Sequence, residues 1–125
     1  MSRRMSCSMT IDAVKERRKT VTRRHVDTWK DLKAGDRLTL IEKGMGLPKG
    51  AKQVVLAEVE VVDVRVEPLF LVGSAECERE GLGHLHPAAF QRMWLDGHGY
   101  RSQSVEHGGT LCRRIEWRYL DGEAS

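Results

Sequence analysis

The chain has 125 residues, of which 40% are hydrophobic and 31% are charged, and its formal net charge is +3. This length suits a single domain over residues 1–125 that buries enough apolar surface to fold without a disulfide or a structural metal. The three cysteines, Cys7, Cys77 and Cys112, include no CxxC pair, which argues against a disulfide framework and a zinc ribbon. We therefore expect no metal and no other cofactor, and a reducing cytoplasm as the compartment.

Membrane insertion is not expected either. No uncharged apolar stretch approaches the ~18 residues that a membrane helix needs, and the first ten residues lack the apolar centre of a signal peptide.

The charge of the chain is unevenly distributed. Residues 1–24 contain eight basic and two acidic side chains, a local charge of +6, which leaves −3 for the rest of the chain. Such asymmetry favours an anionic partner, with RNA or a nucleotide as the first choice, although a solvated basic face would produce it too.

The first third of the chain predicts strand, helix and strand in turn. Apolar and polar residues alternate over 5–9, as in a short strand, and Thr10 is a suitable cap for a short helix that contains Ile11 and Val14. The β-branched run at 19–24 then predicts a second strand.

The middle of the chain contains the longest predicted strand, at 54–66, which follows a shorter one at 38–41 and a glycine-rich loop at 44–50. The apolar alternation changes phase near Val61 and Val62. A β-bulge there would keep both halves of the strand facing the core.

Two helices and a closing strand complete the predicted elements. Acidic residues after Ser74 indicate a short helix that ends before Gly81, and Pro87 begins a second helix in which Phe90, Met93 and Trp94 form an apolar stripe typical of core packing. Residues 111–119 alternate as a half-buried strand. Together the elements predict a small α+β protein on a curled sheet or barrel with short flanking helices.

Two motifs carry a resemblance to a known family. The sequence R-K-T-V-T-R-R at 18–24 follows a short helix, and L-K-A-G-D-R-L follows at 32–38. In this pairing the chain resembles the ASCH domain, a branch of the PUA-like superfamily. The resemblance extends to Ser8-Met9, Glu80-Gly81 and the terminal strand. It implies a PUA-like curled β-barrel and a cleft suited to RNA or to a modified nucleotide.

The resemblance also implies which residues form the site. Some small members of the family are metal-independent amidohydrolases that deacylate N4-acetylcytidine with a lysine, a threonine and a glutamate, and these fall on Lys19, Thr22 and Glu80. The same cleft could instead bind RNA or a nucleotide without turnover, through the side chains that neighbour the motif, Arg17, Arg18, Thr20, Arg23 and Arg24. A third alternative is a non-catalytic module that holds a protein partner through its basic end.

Two features complicate this interpretation. The family usually has glycine where this chain has Arg17, and a positive φ at that helix exit is costly for arginine. Lys19 and Thr22 are three residues apart, so they converge only if Lys19 precedes the strand proper.

The histidines carry weaker alternatives. His84 and His86 could ligate zinc together with a cysteine, but no second pair has ligand spacing. His25, His98 and His107 occur in polar or glycine-rich surroundings and are expected to face solvent.

Overall fold

The computed structural model describes residues 3–43, 48–100 and 109–120. The predicted loop at 44–50 therefore lies partly outside the described residues, and His107 lies wholly outside them. The elements follow the order β1 (Arg3–Ser6), α1 (Ile11–Lys15), β2 (Val21–His25), β3 (Arg37–Ile41), β4 (Val55–Pro68), a 3₁₀ turn (Leu69–Leu71), α2 (Ser74–Arg79), α3 (Pro87–Gly97) and β5 (Leu111–Tyr119).

The strands of the described residues form one mixed sheet in the order β1-β3-β4-β5-β2. β1 runs parallel to β3, and every other neighbouring pair is antiparallel. β1 and β2 are thus the two edge strands of a curled half-barrel, and the short helices flank it. The predicted fold class, α+β on a curled sheet, is confirmed.

The bulge predicted in the long strand is present, because the pairing of β4 with β5 shifts register between Val61 and Asp63. Its expected consequence is only partly correct. Val62 and Val66 are 42% and 44% exposed, and Val64 is the valine of the second half that packs against the core. The second half of β4 extends past the core, so the phase change does not bury all of its apolar residues.

Two apolar clusters fill the space around the sheet. One lies between the sheet and α1 and includes Val14, Leu38, Val59 and Trp117. The second lies under α2 and α3 and is built from these buried residues: Leu69, Val72, Cys77, Phe90, Trp94, Leu95 and Cys112. Phe90 and Trp94 of the predicted stripe are therefore core residues.

No helix in the described ranges is long and apolar enough to cross a membrane.

Candidate functional site

A cavity of about 380 Å³ is bounded by the chain that leaves β1, by β2 and by α3. Three charged or polar side chains singled out by the sequence, Lys19, Thr22 and Glu80, line it together. Its size and mixed lining are those of a small-molecule site, in which apolar walls surround a few convergent polar groups. The remaining walls come from Ser6, Cys7, Ser8, Met9, Thr10, Arg23, Arg24, Leu82, Phe90, Met93, Trp94, Gly97 and His98.

Lys19 is held from both its backbone and its side chain. Its carbonyl oxygen accepts hydrogen bonds from the Trp117 indole, at 3.1 Å, and from the Tyr119 hydroxyl. Its buried Nζ donates to the backbone oxygen of Glu80 at 2.7 Å and to Glu80 Oε1 at 3.1 Å. Two aromatic residues of β5 therefore fix the point from which the lysine extends, and Glu80 fixes where its ammonium lies.

The helix exit before Lys19 keeps the left-handed conformation that glycine usually supplies. Arg17 has φ = 62°. Its guanidinium donates to the Val14 carbonyl at 3.0 Å and lies over the Tyr119 ring, 5.0 Å from its centroid. These contacts offset the strain of a positive φ, which costs an L-residue roughly 1–2 kcal/mol. Arg17 thus adopts a positive φ while Lys19 lines the cavity.

Lys19 and Thr22 reach the same cavity because β2 begins only at Val21. Lys19 belongs to the turn after α1, so the alternation of the strand does not force the two side chains apart. Thr22 is buried, and its Oγ1 accepts a hydrogen bond from Arg24 Nε at 3.3 Å.

Glu80 lies directly after α2 and bridges two cations. One carboxylate oxygen accepts from Lys19, and the other accepts from Arg23 Nη1 at 3.1 Å. Gly81, the next residue, has φ = 83° and leaves no room for a side chain, because a Cβ there would lie 2.6 Å from the Ala13 Cβ. This close approach brings α1 and Glu80 together.

Gly81→Ala should lower the free energy of unfolding by more than Gly35→Ala does. Both glycines have positive φ, but a Cβ at Gly35 would meet nothing within 4 Å. The shared backbone strain is worth about 1 kcal/mol, and the clash with Ala13 adds roughly 1–3 kcal/mol. Denaturant unfolding of the two variants measures the difference. Equal losses would contradict a tight approach of Gly81 to α1.

Arg23 is the centre of a buried ion network. Its side chain is fully enclosed, and its Nη2 contacts Glu76 Oε1 at 2.5 Å and Glu67 Oε2 at 3.4 Å. Glu76 also accepts from Arg114 Nε at 2.7 Å. Hydrogen bonds from Arg114 hold the pKa of Glu76 well below its usual range, so this carboxylate is ionised. Sequence analysis missed Glu67, Glu76 and Arg114 because nothing local in the sequence marks them.

The side chains predicted to bind a nucleotide separate into two groups. Arg23 and Arg24 line the cavity, whereas Arg17, Arg18 and Thr20 are outside its lining. Arg18 is exposed and pairs with Glu16, and the Thr20 backbone donates a hydrogen bond to Arg79 and accepts one from Trp117.

His98 was expected to face solvent, and this expectation is wrong. It is half-buried in the cavity wall and stacks on Trp94 with ring centroids 3.9 Å apart. Its Nδ1 lies 2.7 Å from the Trp94 carbonyl oxygen, which can only accept, so Nδ1 carries the proton. Burial lowers the pKa of His98, which keeps the ring neutral at neutral pH. His25 is also partly buried, and its Nε2 is 3.0 Å from the Tyr100 hydroxyl.

The described residues contain no group of three or more metal-ligating side chains. His86, one of the two histidines considered for zinc, instead accepts a hydrogen bond from the Ala88 amide at 3.1 Å and caps α3. Its neighbour His84 lines a wider groove beside the cavity.

The curled half-barrel with short helices is a fold already seen in solved structures. No family model matches the sequence, and no curated protein matches it. The chain is similar in structure to "hypothetical protein PH0355", with a TM-score of 0.63 at 17% identity over 96% of this chain and 100% of that one. It is also similar to the crystal structure of protein EF3133 from Enterococcus faecalis V583, of the family model DUF984. That TM-score is 0.57 at 19% identity, over 90% of this chain and 71% of that one. These likenesses show the fold.

Proposed function

We propose that the protein belongs to the ASCH branch of the PUA-like superfamily and binds a single nucleobase, as part of a nucleotide or an unpaired RNA residue. The observation that supports this most is that Lys19, Thr22 and Glu80, which the resemblance names as site residues, are all buried and line one cavity. Residues distant in the sequence meet there because the helix exit, the edge strand and the end of α2 converge.

The cavity chemistry suits a base. A planar, mostly apolar ring with polar edge groups needs aromatic surface beside it and hydrogen-bonding groups at its rim. The stacked rings of Trp94 and His98 provide aromatic surface in the cavity wall, and Lys19 and Thr22 provide polar groups in the same enclosure. Because Arg17 and Arg18 lie outside, affinity would come from recognition of one base rather than from many phosphate contacts.

Binding of nucleosides and nucleotides tests the proposal. We expect isothermal titration to detect binding of at least one of the four ribonucleosides or their 5′-monophosphates, and Lys19→Met to weaken it at least tenfold because a buried polar contact is lost. Lys15→Met is the matched control, since Lys15 is exposed at the end of α1. Absence of binding to every compound, or equal effects of the two variants, would contradict a base-binding cavity.

One contact favours a second candidate function, the metal-independent deacylation of N4-acetylcytidine-type nucleosides. Lys19 Nζ and Glu80 Oε1 are 3.1 Å apart, and the Thr22 hydroxyl lines the same cavity. Thr22 Oγ would attack the acyl carbon while Lys19, having first passed a proton to Glu80 Oε1, takes the hydroxyl proton. The C–N bond then breaks, the amine of cytidine receives a proton, and water hydrolyses the acyl ester on Thr22.

A further inference from the structure

Arg24 is the cation of the cavity that has no acidic partner. Lys19 and Arg23 both contact the Glu80 carboxylate. The Arg24 guanidinium instead donates to two uncharged acceptors, the Ser6 carbonyl oxygen at 2.7 Å and Thr22 Oγ1 at 3.3 Å. Within the described part of the chain, Arg24 forms no ion pair with any Asp or Glu, and its Nη1 donates no hydrogen bond.

The surroundings of Arg24 do not balance its charge. Glu80 divides one negative charge between Lys19 and Arg23. Burial raises the pKa of the Cys7 thiol in the cavity wall, so this group is uncharged at neutral pH. Burial also lowers the pKa of Arg24 itself, which reflects the cost of a cation withdrawn from water. An anion in the cavity would offset that cost.

The position of Arg24 fits an anion that enters between the open edges of the half-barrel. Arg24 lies on edge strand β2, and its bond to Ser6 reaches edge strand β1. Because Nε and Nη2 donate hydrogen bonds to Thr22 and Ser6, Nη1 is the guanidinium nitrogen that is available to a ligand. Guanidinium groups bind phosphate oxygens through short, charge-assisted hydrogen bonds.

We propose that Arg24 is the anion-binding group of this cavity and that its ligand is a nucleotide with a phosphate beside the base, not an uncharged nucleoside. This inference rests on the proposed base-binding function. It assigns the phosphate contact to Arg24 alone, whereas the sequence suggested several basic residues of the segment 17–24 as binding residues.

The test compares cytidine 5′-monophosphate with cytidine by isothermal titration. We expect the wild-type protein to bind the nucleotide at least tenfold more tightly. Arg24→Gln should bring the ratio close to one, because it removes the charge, and Arg24→Lys should restore part of it. Arg37→Gln is the matched control, since Arg37 is an exposed arginine on another strand of the sheet, and it should leave the ratio unchanged.

The outcomes separate this inference from the function on which it rests. Equal binding of nucleotide and nucleoside by the wild type, or an unchanged ratio in Arg24→Gln, would overturn the phosphate site while base binding stands. Failure of every nucleoside and nucleotide to bind would overturn both.

The salt dependence of binding to a short oligoribonucleotide tests whether Arg24 contacts a single phosphate when the base belongs to RNA. If its affinity falls with salt at a log-log slope of about −0.7, one phosphate of the strand is contacted, as proposed. A much steeper slope would contradict a single phosphate contact.

Discussion

The Lys19→Met variant should release no detectable cytidine from N4-acetylcytidine under conditions in which the wild-type protein does so without added metal. The expectation follows from the second candidate function, because Lys19 would be the base that removes the Thr22 proton. Loss of a general base typically costs roughly 10²–10⁴-fold in rate. Chromatographic measurement of cytidine release gives the result, and circular dichroism confirms that the variant is folded.

Thr22 allows a more conservative comparison. Thr22→Val keeps the shape of a buried side chain and removes the hydroxyl, so it should abolish turnover, whereas Thr22→Ser keeps the hydroxyl and should retain some activity. If Thr22 had only a structural role, Thr22→Val would not lose more activity than Thr22→Ser. Equal activity of Thr22→Val and wild type would exclude Thr22 as the nucleophile.

Glu80→Gln should lower kcat with less effect on KM, because its contact with Lys19 matters most as protons move. The losses in Lys19, Thr22 and Glu80 variants should be non-additive, since these groups would act as one unit. If no N4-acylated nucleoside releases cytidine while nucleotides bind, deacylation is contradicted and the cavity is a binding site alone.

The part of the site that could be predicted depends on local patterns. Local patterns predict the exit of α1, the start of β2 and the end of α2, whereas the choice of Lys19, Thr22 and Glu80 within them came from the resemblance to the ASCH domain. The stripe in α3 and the bulge in β4 follow from simple periodicity. Such features can be predicted because each depends on residues that are close together in the sequence.

The ion network could not be predicted, because its members come from separate elements. Arg23 meets Glu67 and Glu76 across 44 and 53 residues of sequence, and no spacing rule connects them. Alternation along the strand at 111–119 would place Arg114 on the face opposite the buried Ile115 and Trp117. Arg114 is buried instead, because its guanidinium turns toward Glu76 of α2.

His98 shows a prediction that could have been improved. It follows Trp94 by four residues, which places both rings on one face at the end of α3. The polar, glycine-containing sequence around it suggested solvent. The four-residue spacing from Trp94 predicts the correct position, because it puts the His98 ring beside Trp94 in the wall of the cavity.

Glu76→Gln should lower the free energy of unfolding by about 2–4 kcal/mol at neutral pH, the order expected when one partner of a largely buried ion pair is lost. Glu76 accepts hydrogen bonds from Arg23, Arg79 and Arg114, and the Arg23 side chain is fully enclosed. The glutamine amide has nearly the same shape, but its NH2 group is a hydrogen-bond donor that faces the arginine donors. The substitution also removes the negative charge that compensates the buried Arg23 guanidinium. Glu78→Gln is the matched control, since Glu78 is exposed on the same helix, and it should change stability little.

Acid conditions provide the decisive comparison for Glu76. Because the Arg114 hydrogen bonds depress the pKa of Glu76 from its ordinary value of 4.5, the carboxylate stabilises the fold above that pH, and this stabilisation is lost as the pH falls. The difference between wild type and Glu76→Gln should therefore be largest near pH 7 and narrower at pH 3, as measured by urea unfolding. A difference that stayed constant with pH would mean that Glu76 stabilises the fold by shape and not by charge. A difference that narrows would show that the charge of Glu76, which faces Arg23 and Arg114, stabilises the fold.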